Sequence, residues 1–310
     1  MEKYIILPDA ACDLNSEVRG FFGLEDYVKC HASVSDGREI TATLDWSNIS
    51  MREFYDLLGD KRIKVTTAPA NAEEFYNVFE SYAKQGIAVL SMSLSSTISA
   101  THSFASTAKE RLLKDYPDAR IYCLDTYRMS GAFGVLVMHA LELQKQGKIF
   151  EEVIEWLEAN KRCVHQMGPI DDLMVVARRG RITMGKAIMG SFAGVKPMGD
   201  CSADGYVTVI GKAKGIKKAL AATAKYIAAT IVHPEEQYVL VSHTDREEYA
   251  QMLKELIIKE VPVKGVFVSE VFHCCAPNIG PGMIAAYYLG REITGDLNEE
   301  KAVLASILGK

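Results

Sequence analysis

No Cys-x-x-Cys pair, His-Glu-x-x-His helix, Walker loop, Gly-x-Gly-x-x-Gly turn or Gly-x-Ser-x-Gly elbow occurs in the 310 residues of this chain. The sequence signatures of a zinc site, a nucleotide-binding loop, a dinucleotide fold and a serine hydrolase are therefore missing together. The seven cysteines are odd in number, and the seven histidines show no metal-ligand spacing, so neither a disulfide framework nor a metal site is expected. No stretch of eighteen apolar residues exists, which leaves no candidate membrane-spanning helix. An excess of positive charge is also lacking. The formal net charge is −5, so no basic field draws the chain to nucleic acid or to anionic lipid. The opening MEKYIILPDAACDL lacks the basic-then-apolar form of a signal peptide and reads as a buried strand. The expected location is cytoplasmic.

What is present is the composition of a folded chain. Hydrophobic residues make up 48% and charged residues 24%, and the length suits two domains better than one small core. Short apolar runs at 4–7, 87–93 and 120–125 alternate with helical periodicity at 72–85, 101–113 and 131–146. Strand–helix alternation predicts a parallel sheet with right-handed crossovers, and ligands at the carboxyl ends of its strands. The helix at 131–146 is apolar enough to be buried on more than one side. A polar helix at 151–163 marks a soft boundary. Beyond it the runs 173–177, 195–198 and 206–211 read as strands, with Ala203-Asp204-Gly205 as a hairpin signal. Helices are predicted at 184–190 and 215–229, and a strand–helix–strand unit over 237–242, 247–259 and 265–272. The expected fold is α/β. An N-terminal domain with a parallel, Rossmann-like sheet covers 1–155, and a C-terminal α/β domain with a mixed sheet covers 156–295. A polar tail at 296–310 has the pattern for one more helix.

Chemistry concentrates in three segments. Hydroxyls crowd the ends of predicted strands in LSMSLSSTISATHS (90–103) and in KVTTAP (64–69). Ser and Thr both donate and accept hydrogen bonds, so at the mouth of an α/β sheet they can hold a carboxylate or phosphate through neutral donors. The plainer alternative is that Ser99 or Thr101 caps the helix that follows. The two are compatible, because a helix N-terminus is itself an anion site. RRGRI at 178–182 sets three guanidinium groups around a glycine, either as a solvated turn or as an anion-recognition loop. APNIGPG at 276–282 is a Gly/Pro loop that reads as a rigid turn leading into an apolar helix, or as backbone placed to approach a ligand.

Taken in order, these segments resemble the DegV family of bacterial fatty-acid-binding proteins, also met as the lipid-carrying subunit of a two-component fatty acid kinase. The family's D-S-x-x-D-L is here Asp9-Ala10-Ala11-Cys12-Asp13-Leu14, with alanine where serine is usual. Its T-S-Q-P appears as Thr66-Thr67-Ala68-Pro69, followed by a helix with Glu74-Phe75. Its S-S-x-L-S-G-T becomes Ser95-Ser96-Thr97-Ile98-Ser99-Ala100-Thr101, and its D-S becomes Asp125-Thr126. K-x-G-R-I is Arg178-Arg179-Gly180-Arg181-Ile182. Lys196-Pro197, Asp204-Gly205 and the basic start 214–219 follow. H-x-G-P-G is Asn278-Ile279-Gly280-Pro281-Gly282, without its histidine. Each motif is weak alone; their order over residues 4–290 is specific.

The resemblance implies two α/β domains with a long-chain fatty acid, such as palmitate or oleate, in a tunnel between them. It implies that Thr66 and Ser99 hold the carboxylate. Ser95, Ser96 and Thr67 are the neighbouring candidates, and Arg181 and Asn278 lie near the head group. His273 is the histidine nearest in sequence to the missing one. No cofactor, metal or catalytic residue is implied. A cytosolic kinase partner that phosphorylates the carboxylate is implied, and contact with a membrane would be transient. Burial of about 15 methylenes at ~0.8 kcal/mol each gives roughly 12 kcal/mol gross, against ~1–3 kcal/mol for each head-group bond lost. The tail should dominate affinity and the head should fix orientation. The alternative is a phosphoryl- or acyl-transfer enzyme acting on a small ligand at the same hydroxyl cluster.

Overall fold

The computed structural model describes residues 3–183 and 194–309. The first half runs β1 (Tyr4–Pro8), α1 (Ser16–Phe22), β2 (Cys30–Val34), β3 (Glu39–Ala42), α2 (Met51–Gly59), β4 (Val65–Ala68), α3 (Ala72–Ala83), β5 (Ala88–Ser93), α4 (Thr101–Asp115), β6 (Ile121–Asp125), α5 (Ser130–Lys145) and α6 (Phe150–Asn160). The second half runs β7 (Val164–Pro169), α7 (Leu173–Arg178), β8 (Ile182–Thr183), β9 (Val195–Cys201), β10 (Val207–Lys214), α8 (Ile216–Thr230), β11 (Tyr238–His243), α9 (Glu247–Glu260), β12 (Gly265–Glu270), α10 (Ala276–Ile279), β13 (Ile284–Leu289) and α11 (Asn298–Leu308). Among the described residues no helix is long and apolar enough to cross a membrane.

The predicted parallel sheet is present, in the order β1-β5-β6. All six residues of β5 are buried, as a strand covered on both faces requires. Local sequence explains the helices around it. Asn71 and Glu74 close a capping box at the start of α3, and Phe75, Tyr76 and Phe79 form its buried face. A second, antiparallel sheet, β3-β2-β4, had no counterpart in the predicted elements, because its four- and five-residue strands carry too short a pattern to read. The C-terminal sheet is mixed and seven-stranded, in the order β12-β11-β13-β7-β9-β10-β8. The tail helix α11 sets Leu304 into the core between this sheet and α8.

Two expected elements change type. The run 173–177 is helical, not a strand: Asp172 caps α7 through a 2.8 Å bond from Met174 N. The apolar run after the Gly/Pro loop is strand β13, not a helix. It lies between β11 and β7 and is buried on both faces, and such a run has no period to tell strand from helix. The helix expected at 184–190 lies outside the described residues.

Helix α5 joins the halves. It packs on β1 on one side and on β7, β11 and β13 on the other, which is why nine consecutive apolar or small positions, Ser130–Met138, pay no heed to a 3.6-residue stripe. Buried His165 and Asp200 tie β7 to β9. His165 Nδ1 lies 2.7 Å from the Asp200 carboxylate and Nε2 lies 2.9 Å from the Arg291 carbonyl. Two acceptors on one ring require two ring protons. Burial lowers the His165 pKa, but Asp200 raises it further, so the net shift is upward.

The closeness of α5 to its neighbours makes a prediction. A Cβ on Gly134 would lie 2.5 Å from the Cys12 carbonyl oxygen. Gly134→Ala should gain up to about 1 kcal/mol of helix propensity and lose more, about 1–3 kcal/mol, to overpacking against that backbone. A urea unfolding midpoint at or above the parent value would show that α5 is not clamped there.

Candidate functional site

A cavity of about 490 Å³ opens between the carboxyl ends of the parallel sheet and one face of the C-terminal sheet, within the usual size of a small-molecule site. Asp9 after β1, Leu94 after β5 and Ser130 after β6 supply the first wall. The floor comes from alternate residues along β7 and just past its end, namely Gln166, Gly168 and Ile170. Ala285 and Tyr287 of β13 and Gly199 of β9 flank them. Residues 166 to 170 of an extended strand span roughly 13 Å, so the floor is long, and most of its lining is apolar. Glycine at 168 has a local cause: a Cβ would fall 2.0 Å from the Ile284 carbonyl oxygen of the neighbouring strand.

The predicted site residues divide sharply. Ser99 lines the cavity. Its hydroxyl lies 2.7 Å from that of Thr101 and accepts from Thr101 N at 3.3 Å. It therefore stands just before the fifteen-residue α4, whose N-cap residue is Ala100 without a side-chain cap, and its hydroxyl takes up the first helical amide beside the cavity. Thr66 does not reach the cavity. In β4, Val65 and Thr67 pair with the buried Val34 and Ala32 of β2, whereas Thr66 pairs with Ser33 on the outward face. Successive strand residues point to opposite sides, so Thr66 is exposed and its neighbour Thr67 lines the wall. Thr66, expected at the head group, is therefore outside the cavity lining, and Thr67 takes the wall position.

Ser95 and Ser96 are not in the lining either. Ser95 is buried against the β9–β10 hairpin, where a Cβ on Gly205 would fall 2.2 Å from its hydroxyl. Ser96 N donates to Asp125 at 3.1 Å, and Thr97 donates to the Asp204 carbonyl at 2.6 Å. These residues tie the loop to the end of β6 and to the β9–β10 hairpin. Arg181 lies at the exposed rim and is the one Lys, Arg or His in the cavity lining among the described residues. Its neighbour Arg179 bonds the Val65 carbonyl at 2.9 Å and ties the basic loop to β4.

Asn278 lies in the wall, donating to Thr67 Oγ1 at 3.2 Å and to the Cys274 carbonyl at 3.3 Å. His273 does not stand in for a histidine there. It is fully buried outside the cavity lining, its ring 4.8 Å from those of Trp46 and Phe54, with Nδ1 3.2 Å from the Thr43 carbonyl. Burial lowers its pKa.

Two acids escaped the functional reading although the Asp9–Leu14 motif contains both. Asp9 is in the cavity wall, and burial pushes its carboxyl up to about 6. Asp13 sits one layer behind, accepting from Ser130 Oγ at 2.6 Å and Phe272 N at 2.8 Å, and burial pushes it up to about 7. Nothing in the spacing alone separates such acids from helix caps; Asp9 also caps a short turn.

With this geometry in place, comparison with known proteins is direct. The family described as uncharacterised protein, DegV family, matches residues 3–291. A DegV domain-containing protein of Clostridium perfringens is 32% identical over 290 residues, 94% of this chain and 98% of its own. Among solved structures, a fatty-acid-binding DegV family protein from Thermus thermophilus superposes with a TM-score of 0.82 at 24% identity, covering 93% of this chain and 99% of that one. The Streptococcus pneumoniae fatty acid kinase B3 protein, loaded with linoleic acid, superposes with a TM-score of 0.77 at 18% identity, covering 93% and 99%. Both establish the likeness of fold.

The site chemistry predicts a cavity without an ionising imidazole. The His273 ring signals should show no titration step at or above its ordinary value of 6.5 in an NMR pH series. Asn278→His should introduce a pH dependence of ligand affinity between about pH 5.5 and 7.5 that the parent protein lacks at this position. A parent transition abolished by His273→Ala would contradict both expectations.

Proposed function

This chain belongs to the DegV family, and we propose that its cavity binds one long-chain fatty acid, with the carboxylate at Thr67, Ser99 and Asn278 and the tail along the strand floor. The observation that carries this reading is the pairing of a long apolar floor with a small set of neutral donors at its rim. A carboxylate leaving water needs hydrogen-bond donors, and hydroxyls beside a helix N-terminus provide them without adding a buried charge. The likeness to proteins described with bound fatty acids supports the ligand class. A small polar substrate would leave most of the floor against water, which disfavours the transfer-enzyme alternative.

The chain itself acts as a carrier in this proposal. A cytosolic kinase subunit that reaches the carboxyl end is the proposed partner, by analogy with the pneumococcal protein, and Arg181, at the rim, is the residue proposed to meet it. Asn278 supplies hydrogen bonds but no charge, so acyl-phosphate formation here would proceed without an imidazolium at that position.

Protein purified from bacteria and extracted with organic solvent should yield close to one long-chain fatty acid per chain by mass spectrometry. Repeated extraction without lipid, together with no uptake of palmitate or oleate, would overturn the reading. Thr67→Ala and Ser99→Ala should each weaken oleate binding by about 1–3 kcal/mol. Thr66→Ala should leave it within the error of a fluorescence displacement assay. The reverse order, with Thr66→Ala the damaging change, would return the head group to the register read from sequence.

A further inference from the structure

A fully buried acid in the wall of a cavity that takes an anion calls for an account, and Asp9 is such an acid. It is 1% exposed and lines the cavity. One carboxyl oxygen accepts from Ala11 N and the other from Leu94 N, both at 2.8 Å. Among the described residues it takes part in no ion pair. The titratable groups that face it are acids and thiols. Asp13 and Cys12 follow it in the same turn, and Cys274 and Cys275 come from the segment after β12. Cys30 of β2 lies beside Cys274. That neighbouring thiol together with burial holds Cys274 far up, and burial does the same for Cys12 and Cys275, so these thiols stay neutral. The cation of the described wall, Arg181, is out at the exposed rim.

Asp9 also shares the cavity wall with the residues assigned to the head group. The Leu94 amide that holds it begins the loop that carries Ser99. Cys274, which responds to its charge, offers the carbonyl that accepts from Asn278.

We propose that Asp9 is the proton-carrying partner of the bound acid, so that each ligand carboxylate taken into the cavity brings one proton onto Asp9. The inference rests on the fatty-acid reading of the cavity. The proton comes from solvent, one O–H bond forms on the Asp9 carboxylate, and that O–H donates to the ligand carboxylate; no other bond changes. Two carboxylates in one site shielded from water cannot both stay ionised. Burial already lifts the Asp9 carboxyl to about 6 against the pull of its two backbone amides, and a second negative charge lifts it further. Below pH 6 the free protein already holds the proton and affinity is level. Above it the proton must be supplied, and affinity falls by up to tenfold per pH unit.

The experiment is oleate binding to the delipidated full chain from pH 5.5 to 8.5, with calorimetry at pH 8 in buffers of different ionisation heat to count protons. The expected result is uptake of one proton and a slope approaching tenfold per unit, both absent in Asp9→Asn. A ¹³C carboxyl spectrum of the wild type in the bound state should show Asp9 protonated at pH 8, a readout that needs no variant to fold. Binding without proton uptake, a slope that survives Asp9→Asn, or an ionised Asp9 in the complex would overturn this inference and leave the fatty-acid reading standing. No oleate binding at any pH would overturn that reading, and this one with it.

Discussion

Everything in this structure depends on one helix having no outside. α5 is pressed between β1 of the parallel sheet and β7, β11 and β13 of the mixed sheet, and eleven of its sixteen residues are buried. Apolar surface on every side of one rod leaves it stable only when both sheets are present. At Gly131 and Gly134 the neighbouring elements occupy the space a Cβ would need. The relative position of the two sheets follows from that contact, and so does the gap beside the start of α5. Met129 and Ser130, at and just before its first turn, are part of the cavity wall.

The gap is walled in two different ways. The parallel sheet contributes loop ends, rich in amides and hydroxyls, because its strands stop there. The mixed sheet contributes a strand face, with side chains alternating toward and away from the cavity. Such a wall is chemically two-sided: polar at the loop ends and helix terminus, and apolar on the strand face. Charge is kept scarce throughout. The described wall has one cation, at its rim, and one acid that burial drives toward its neutral form. Neutral donors hold an anion without drawing in the water that a fixed ion pair would need.

Much of this was legible before any coordinates. The alternation of β1, α3, β5, α4, β6 and α5 is a matter of local pattern, and these elements formed where the periodicity places them. The failures were local ties. The run 173–177 is apolar enough for either a strand or a helix, and the Asp172 cap decided for helix. Residues 284–289 are apolar without period, and their place between two strands made them a strand. The sheet β3-β2-β4 was invisible because four residues in alternation carry little information.

The sequence by itself determined the fold class, the parallel sheet, the hydroxyl-rich strand ends and the family to which the chain belongs. These rest on composition, periodicity and motif order, each of which is written along the chain. Tertiary structure alone decided which hydroxyl faces the cavity. Thr66 and Thr67 are chemically alike and adjacent, and only the pairing of β4 with β2 turns one inward and the other to solvent. It alone removed His273 to an aromatic pocket and set Ser95 against the β9–β10 hairpin. It also made Asp9 a wall residue as well as a helix cap. The reason is the same in each case: the direction of a side chain, and the water it keeps or loses, are set by partners distant in sequence.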